Sequence, residues 1–226
     1  MKPYWTNEQH GLTIYCGDCL EVMPGLGREF DLCLTDPPYG CEKVGAQWDT
    51  HFPVEWYSHA KLACRTVAVM TGSCGTREAI ALDPNDFLDV VAGWNKNSLT
   101  RGRLGFGNWL ACTVFGKRPR VGQNFTHFSV SGQMPDHPTP KPIEWVGWLV
   151  WRLAEKGDTV IDPFLGSGTT LVACYRLGRQ GVGIEISEQY CELAATRLEK
   201  EIAQGRLFEP GETQPKPVQA TLEVDA

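Results

Sequence analysis

Along this chain, short apolar runs bounded by turn residues alternate with longer stretches in which apolar residues recur at helical spacing. The runs predict strands at 13–16, 30–35, 65–71, 87–94, 109–115, 159–161 and 181–186. The periodic stretches predict a helical turn at 19–23 and helices at 53–62, 144–154, 168–177 and 187–203. Pro53 suits a first helical turn, because its missing N–H is one the helix would leave unused. Trp145, Trp148, Leu149 and Trp151 do not share one helix face, so the helix that carries them is expected to be mostly buried. Beyond Arg206, proline and charged residues replace apolar ones, which predicts a disordered tail over 207–226.

The strand–helix alternation predicts an α/β domain spanning 1–206, built on a doubly wound, mostly parallel sheet. Such sheets take ligands at the carboxyl ends of their strands. Composition narrows the class: 226 residues with 42% hydrophobic content suit one globular domain. No run reaches the 18 or so apolar residues of a membrane span, and 1–5 is not a signal peptide, so a cytosolic (cytoplasmic) protein is the expectation. Nine cysteines lie scattered, several inside apolar runs, and read as reduced buried thiols. Cys16-Gly17-Asp18-Cys19 has the spacing of half a zinc site, but no second close pair completes it, so no metal is expected.

The net charge of −6 argues against a polyanionic partner until its distribution is considered. From Asn95 to Pro135 there is no Asp or Glu, while Lys96, Arg101, Arg103, Lys117, Arg118 and Arg120 all fall there. That segment carries +6 and the remainder therefore −6 − 6 = −12. Local positive charge is what meets phosphates, so 95–135 is expected to be a small basic insertion facing nucleic acid.

Two motifs follow predicted strands directly. In Asp36-Pro37-Pro38-Tyr39 the prolines fix the backbone and remove two N–H donors, leaving a carboxylate beside a rigid carbonyl. That pair can accept both hydrogens of an amino group, and Tyr39 adds an aromatic face for a planar base. The competing reading is a strand-ending turn. In Asp162-Pro163-Phe164-Leu165-Gly166-Ser167-Gly168-Thr169-Thr170, glycines at the start of a helix allow a ligand close to the backbone. The lysine of a phosphate loop is missing, and so is the third glycine of the dinucleotide fingerprint. Glu185, at the end of the next strand, stands where a carboxylate takes ribose hydroxyls; together these describe an adenosine site without phosphates.

Taken together, the two motifs resemble those of the DNA amino-methyltransferases, and their order resembles the β-class arrangement of that family. Tyr15-Cys16-Gly17-Asp18 and His137-Pro138-Thr139-Pro140-Lys141-Pro142 resemble two further family segments, with Pro140 where glutamine is common. The resemblance runs from about Thr13 to Leu198. It implies a Rossmann-like S-adenosylmethionine-dependent methyltransferase fold, with 95–135 in the place of the target-recognition insertion. It implies that Asp36 and the Pro37 carbonyl grip the amino group of a base rotated out of double-stranded DNA, with Tyr39 beside it. It places Asp162 and the Gly166 and Gly168 backbone on the methionine portion of S-adenosyl-L-methionine, Lys141 near its carboxylate, Glu185 on the ribose and Asp18 beside the adenine, with Phe164, Ser167 and Thr169 also in the cofactor site. Asp36 at the first motif position is similar to adenine-N6 members, where cytosine-N4 members usually carry serine. Trp109 or Phe106 would fill the gap left by the base or pack in the core, and 40–51 would be a mobile loop over its pocket. A DNA-binding protein on a decayed scaffold is the alternative of another class, opposed by intact Asp36, Lys141 and Glu185. The pattern is silent on whether the chain forms a homodimer or accompanies a cognate restriction endonuclease.

Overall fold

The computed structural model describes residues 2–27, 29–38, 52–71, 75–95, 101–102, 105–106, 109–117, 125–128 and 141–205, with backbone alone at 101, 102, 105 and 106. Tyr39, the 40–51 loop, Lys96, Arg103, Arg118, Arg120, residues 137–140 and the tail lie outside the described residues.

Among the described residues nine strands form one sheet: β1 (Trp5–Asn7), β2 (Leu12–Cys16), β3 (Phe30–Thr35), β4 (Cys64–Met70), β5 (Phe87–Asn95), β8 (Trp109–Gly116), β9 (Phe125–Phe128), β10 (Thr159–Asp162) and β11 (Gln180–Glu185). A two-stranded hairpin, β6 (Arg101–Gly102) with β7 (Gly105–Phe106), stands apart from it. The sheet order is β1-β2-β11-β10-β3-β4-β8-β5-β9. Only β1 and β8 run against the rest, so the mostly parallel sheet expected from the pattern is what forms.

Among the described residues six α-helices cover it: α1 (Cys19–Gly25), α2 (Glu55–Ala63), α3 (Thr76–Ile80), α4 (Ile143–Leu153), α5 (Thr169–Leu177) and α6 (Glu188–Gln204). None of the described helices is long and apolar enough to cross a membrane. Strand side chains alternate between faces, and β4 shows the consequence. Ala68 and Met70 join a core with α4, α5 and α6, while Val67 and Val69 join one with α1, α2 and α3. In α4, Trp145 is fully buried and stacks on Trp148 with ring centroids 5.6 Å apart, as a helix without one apolar face requires.

The winding reverses between β3 and β10. From β3 the chain moves outward to β4, and from β10 it moves the other way to β11, which makes the β3/β10 boundary the topological switch point. Gly181 and Gly183 leave the α5 face of β11 bare so that Leu171 and Leu165 can close on it. A Cβ at either position would stand 2.5 Å from a leucine methyl.

The pattern missed β1, α3, the β6–β7 hairpin and β9, all of five residues or fewer. The expected basic insertion also resolves differently. β8 and β9 are strands of the main sheet, so 95–135 is not one block: it comprises connections that leave opposite ends of β8.

Candidate active site

The carboxyl ends of four adjacent parallel strands each deliver an acid to the same edge of the sheet. In spatial order they are Asp18 after β2, Glu185 ending β11, Asp162 ending β10 and Asp36 after β3. Neighbouring strands lie about 4.8 Å apart, so the four span one crevice. The two sequence motifs thus meet across the switch point.

Asp162 is 2% exposed, and both oxygens of its carboxylate are held by protein donors. Thr35 Oγ1 donates to Oδ1 at 2.8 Å, the Phe164 amide donates to Oδ1 at 3.0 Å, and Thr170 Oγ1 donates to Oδ2 at 2.6 Å. Burial pushes its pKa up to about 6, against the pull of those three donors. Asp162 therefore ties the end of β3 to the start of α5; the direct ligand contact expected of it is not what its geometry favours. Thr35, which links the two motifs, was not singled out by sequence, because a threonine ending a strand carries no signal for a partner 127 residues away.

The loop after Asp162 turns on Gly166 and Gly168, with φ of 52° and 81°. These are left-handed values that side chains resist. Gly168 also abuts α6, where an added Cβ would stand 2.9 Å from Ala194 Cβ. Glu185 holds the loop from β11: Oε2 accepts from the Gly166 amide at 2.8 Å and Oε1 from the Ser187 amide at 2.9 Å. Ser167 and Thr169 were expected beside the cofactor, but their side chains are buried, and Thr169 Oγ1 accepts from Arg197 at 2.8 Å. Phe164 is half-buried, edge-on to Trp56 with centroids 5.7 Å apart. Ile186, directly after Glu185, is 71% exposed, an apolar surface the sequence reading overlooked. Asp18 caps α1 by accepting from the Leu20 amide at 2.8 Å.

On the other side of the switch point Pro37 is buried and Asp36 half-buried. Lys141, immediately before α4, donates to Asp36 Oδ2, so the cation expected near a cofactor carboxylate here pairs with the acid of the first motif.

Of the six basic residues, Lys117 and the backbone of Arg101 are described, and they stand at opposite edges of the sheet. Lys117 follows β8 at the far edge of the sheet, where its amide bonds the Arg65 carbonyl at 3.1 Å. β8 has eight residues, so Lys117 stands about 25 Å from the crevice edge. The β6–β7 hairpin that carries Arg101 connects β5 to β8 on the crevice side. Summing charge along the sequence merged connections that the antiparallel β8 separates. Trp109 is 53% exposed at that same crevice-side end, stacked on Trp94 with centroids 6.4 Å apart, so it does not pack in the core.

A glycine-rich loop and an acid-tipped strand at the switch point of an open α/β sheet form the layout of a nucleoside-binding enzyme of Rossmann type. The sequence model of the N6/N4 DNA methylases matches residues 84–196. The putative methylase YubD of Escherichia coli (strain K12) is 30% identical over 205 residues, 80% of this chain and 88% of that protein. The type II methyltransferase M.HpaI of Haemophilus parainfluenzae is 40% identical over 75 residues, 33% of this chain and 24% of that protein, so this match spans only about a quarter of that curated relative. The crystal structure of the M1.HpyAVI–SAM complex shares the fold, with a TM-score of 0.67 at 21% identity over 83% of this chain and 98% of that one. The chain belongs to the N6/N4 DNA methylase family.

Proposed function

We propose that this chain transfers a methyl group from S-adenosyl-L-methionine to the N6 amino group of adenine in double-stranded DNA. The carrying observation is the row of four acids at one sheet edge, with Asp36 set across the switch point from the Gly166–Gly168 loop. Relatives named as type II methyltransferases support a place in restriction-modification.

The residues present fit S-adenosyl-L-methionine. Each oxygen of Glu185 accepts one amide, which leaves lone pairs for the two ribose hydroxyls. Ile186 offers an apolar surface for the adenine ring, with Asp18 on the neighbouring strand end. The positive-φ glycines present backbone rather than side chain, the neighbouring α5 N-terminus favours a negative group, and Lys141 supplies a cation for the carboxylate. When bound, this cofactor supplies a methyl group on a positively charged sulfur.

The target base must leave the duplex stack to reach the crevice. Asp36 and the Pro37 carbonyl accept hydrogen bonds from its two N–H groups, which raises electron density on nitrogen and fixes the direction of its lone pair; as the new N–C bond forms, the nitrogen sheds one of these protons to Asp36 and on to solvent. Positioning and electrostatics carry the catalysis. Aspartate rather than serine at 36 favours adenine over cytosine. The backbone of Arg101 lies on the crevice side, which supports contact with DNA phosphates, whereas Lys117 stands too far from the crevice to share it; for Lys96, Arg103, Arg118 and Arg120 the same role rests on charge alone.

The test is Asp36→Ala. Methyl incorporation should fall by about a thousandfold or more, the scale of losing a transition-state hydrogen-bonding group. Cofactor affinity by calorimetry should persist. Equal loss of both would place Asp36 in the fold rather than in the chemistry.

A further inference from the structure

The glycine-rich loop is held from two directions, and one holder belongs to no motif. Arg197, on α6, is a partly buried cation whose Nη1 donates to the Ser167 carbonyl at 3.0 Å and to Thr169 Oγ1 at 2.8 Å. Ala194, three residues earlier and thus on the same helix face, is the residue against which Gly168 is pressed. The Arg176 guanidinium, on α5, grips Glu201 at 2.6 and 3.0 Å and locks the two helices in register beneath the loop.

These bonds fix peptide planes, not only side chains. The Leu165–Gly166 peptide is tied at both ends, its carbonyl accepting from the Gly168 amide at 3.1 Å and its amide donating to Glu185. The Ser167–Gly168 peptide is also tied at both ends, its amide on Leu165 and its carbonyl on Arg197. A peptide entering a glycine is the easiest kind to rotate, because no Cβ opposes the turn. If the Ser167 carbonyl lost Arg197, rotation would turn its partial negative charge toward the place where the α5 N-terminus otherwise favours a negative ligand.

We infer that Arg197 is the positioning residue of the cofactor loop: it holds the Ser167–Gly168 peptide in the one orientation that keeps the start of α5 receptive. This rests on the reading of the loop as the S-adenosylmethionine site. Arg197 touches no reacting atom, so its loss acts on cofactor affinity and not on the chemical step.

The experiment compares the full chain with Arg197→Met, Arg197→Lys and Thr169→Val. Affinity for S-adenosylmethionine is measured by calorimetry, kcat and KM with DNA substrate, and Tm by scanning fluorescence. Arg197→Met should weaken cofactor binding and raise cofactor KM by about tenfold, the scale of a lost charged hydrogen bond, with kcat at saturation within about twofold. Arg197→Lys should recover part of the loss, since one ammonium can reach either acceptor, and Thr169→Val should cost about threefold or less. Should Arg197→Met fail to fold, the lysine and valine variants keep the same order and decide the matter. Unchanged affinity in folded Arg197→Met, a lysine variant no better than methionine, or a fall in kcat at constant KM would overturn the assignment. A wild-type chain that binds no S-adenosylmethionine would instead overturn the reading of the site itself.

Discussion

On the β10–β11 side of the crevice, polar groups are committed to protein before any ligand arrives. Asp162 takes three donors, Glu185 takes the Gly166 amide of the loop and the Ser187 amide that leads into α6, and Arg197 closes the loop from α6. On the β3 side, Asp36 faces Lys141 and is followed by two prolines that bring no N–H of their own. The first side is a rigid receptor whose shape is fixed by bonds within the chain. The second presents a carboxylate already paired with Lys141 beside a carbonyl-rich, proline-stiffened backbone. That division suits a reaction in which a donor molecule must be held still while an amino group is brought to it and bonded through its own hydrogens.

If the β11 side is a preformed receptor, Glu185→Ala should have the largest effect on it. Two amides lose a charged acceptor and the ribose loses its partner, so cofactor affinity should fall by about a hundredfold in calorimetry. Unchanged affinity would remove Glu185 from the ribose.

The burial of Asp162 makes a second, smaller prediction. Its pKa, about 6 in the folded chain, lies above its ordinary value of 3.8, so the folded chain holds a proton that the unfolded chain has released between these values. Stability should therefore fall as pH rises from about 4 to about 6 and level off above that. Asp162→Asn, which keeps an acceptor for Thr35 and Phe164, should lack this fall. Denaturant titrations should show a wild-type-minus-variant difference of about 2–3 kcal/mol across the window. Parallel pH profiles would mean that Asp162 is not titrating there.

The smallest effects should separate the basic residues. Arg101→Ala should weaken duplex binding severalfold and lower the salt slope by about one, as one lost phosphate contact does. Lys117→Ala should leave both within about twofold, and equal losses would return Lys117 to the DNA surface.

The strands and helices that the sequence pattern located are those with enough residues to show a period: β3 runs over Phe30–Thr35 as expected, and α4 to within a residue at either end. The short elements are too brief to show a period, and β9 exists through a partner distant in sequence, as Phe125–Phe128 pairs with Ala92–Asn95, which no local pattern announces. The site was legible as residues but not as bonds. Asp162 and Glu185 carry strong local signals, yet Thr35 and Arg197 matter through contacts spanning 127 and 28 residues. The acid-free stretch misled for a geometric reason, since the antiparallel strand β8 carries the chain from the crevice edge at Trp109 to the opposite edge at Lys117.

The division between donor receptor and base site is tested most directly by the product. The full chain is incubated with methyl-labelled S-adenosylmethionine and unmethylated genomic DNA, and the DNA is digested to nucleosides for mass analysis. The label should appear as N6-methyladenine. Label in N4-methylcytosine would contradict the adenine assignment, and DNA without label, from a chain that binds the cofactor, would contradict the account of the β3 side altogether.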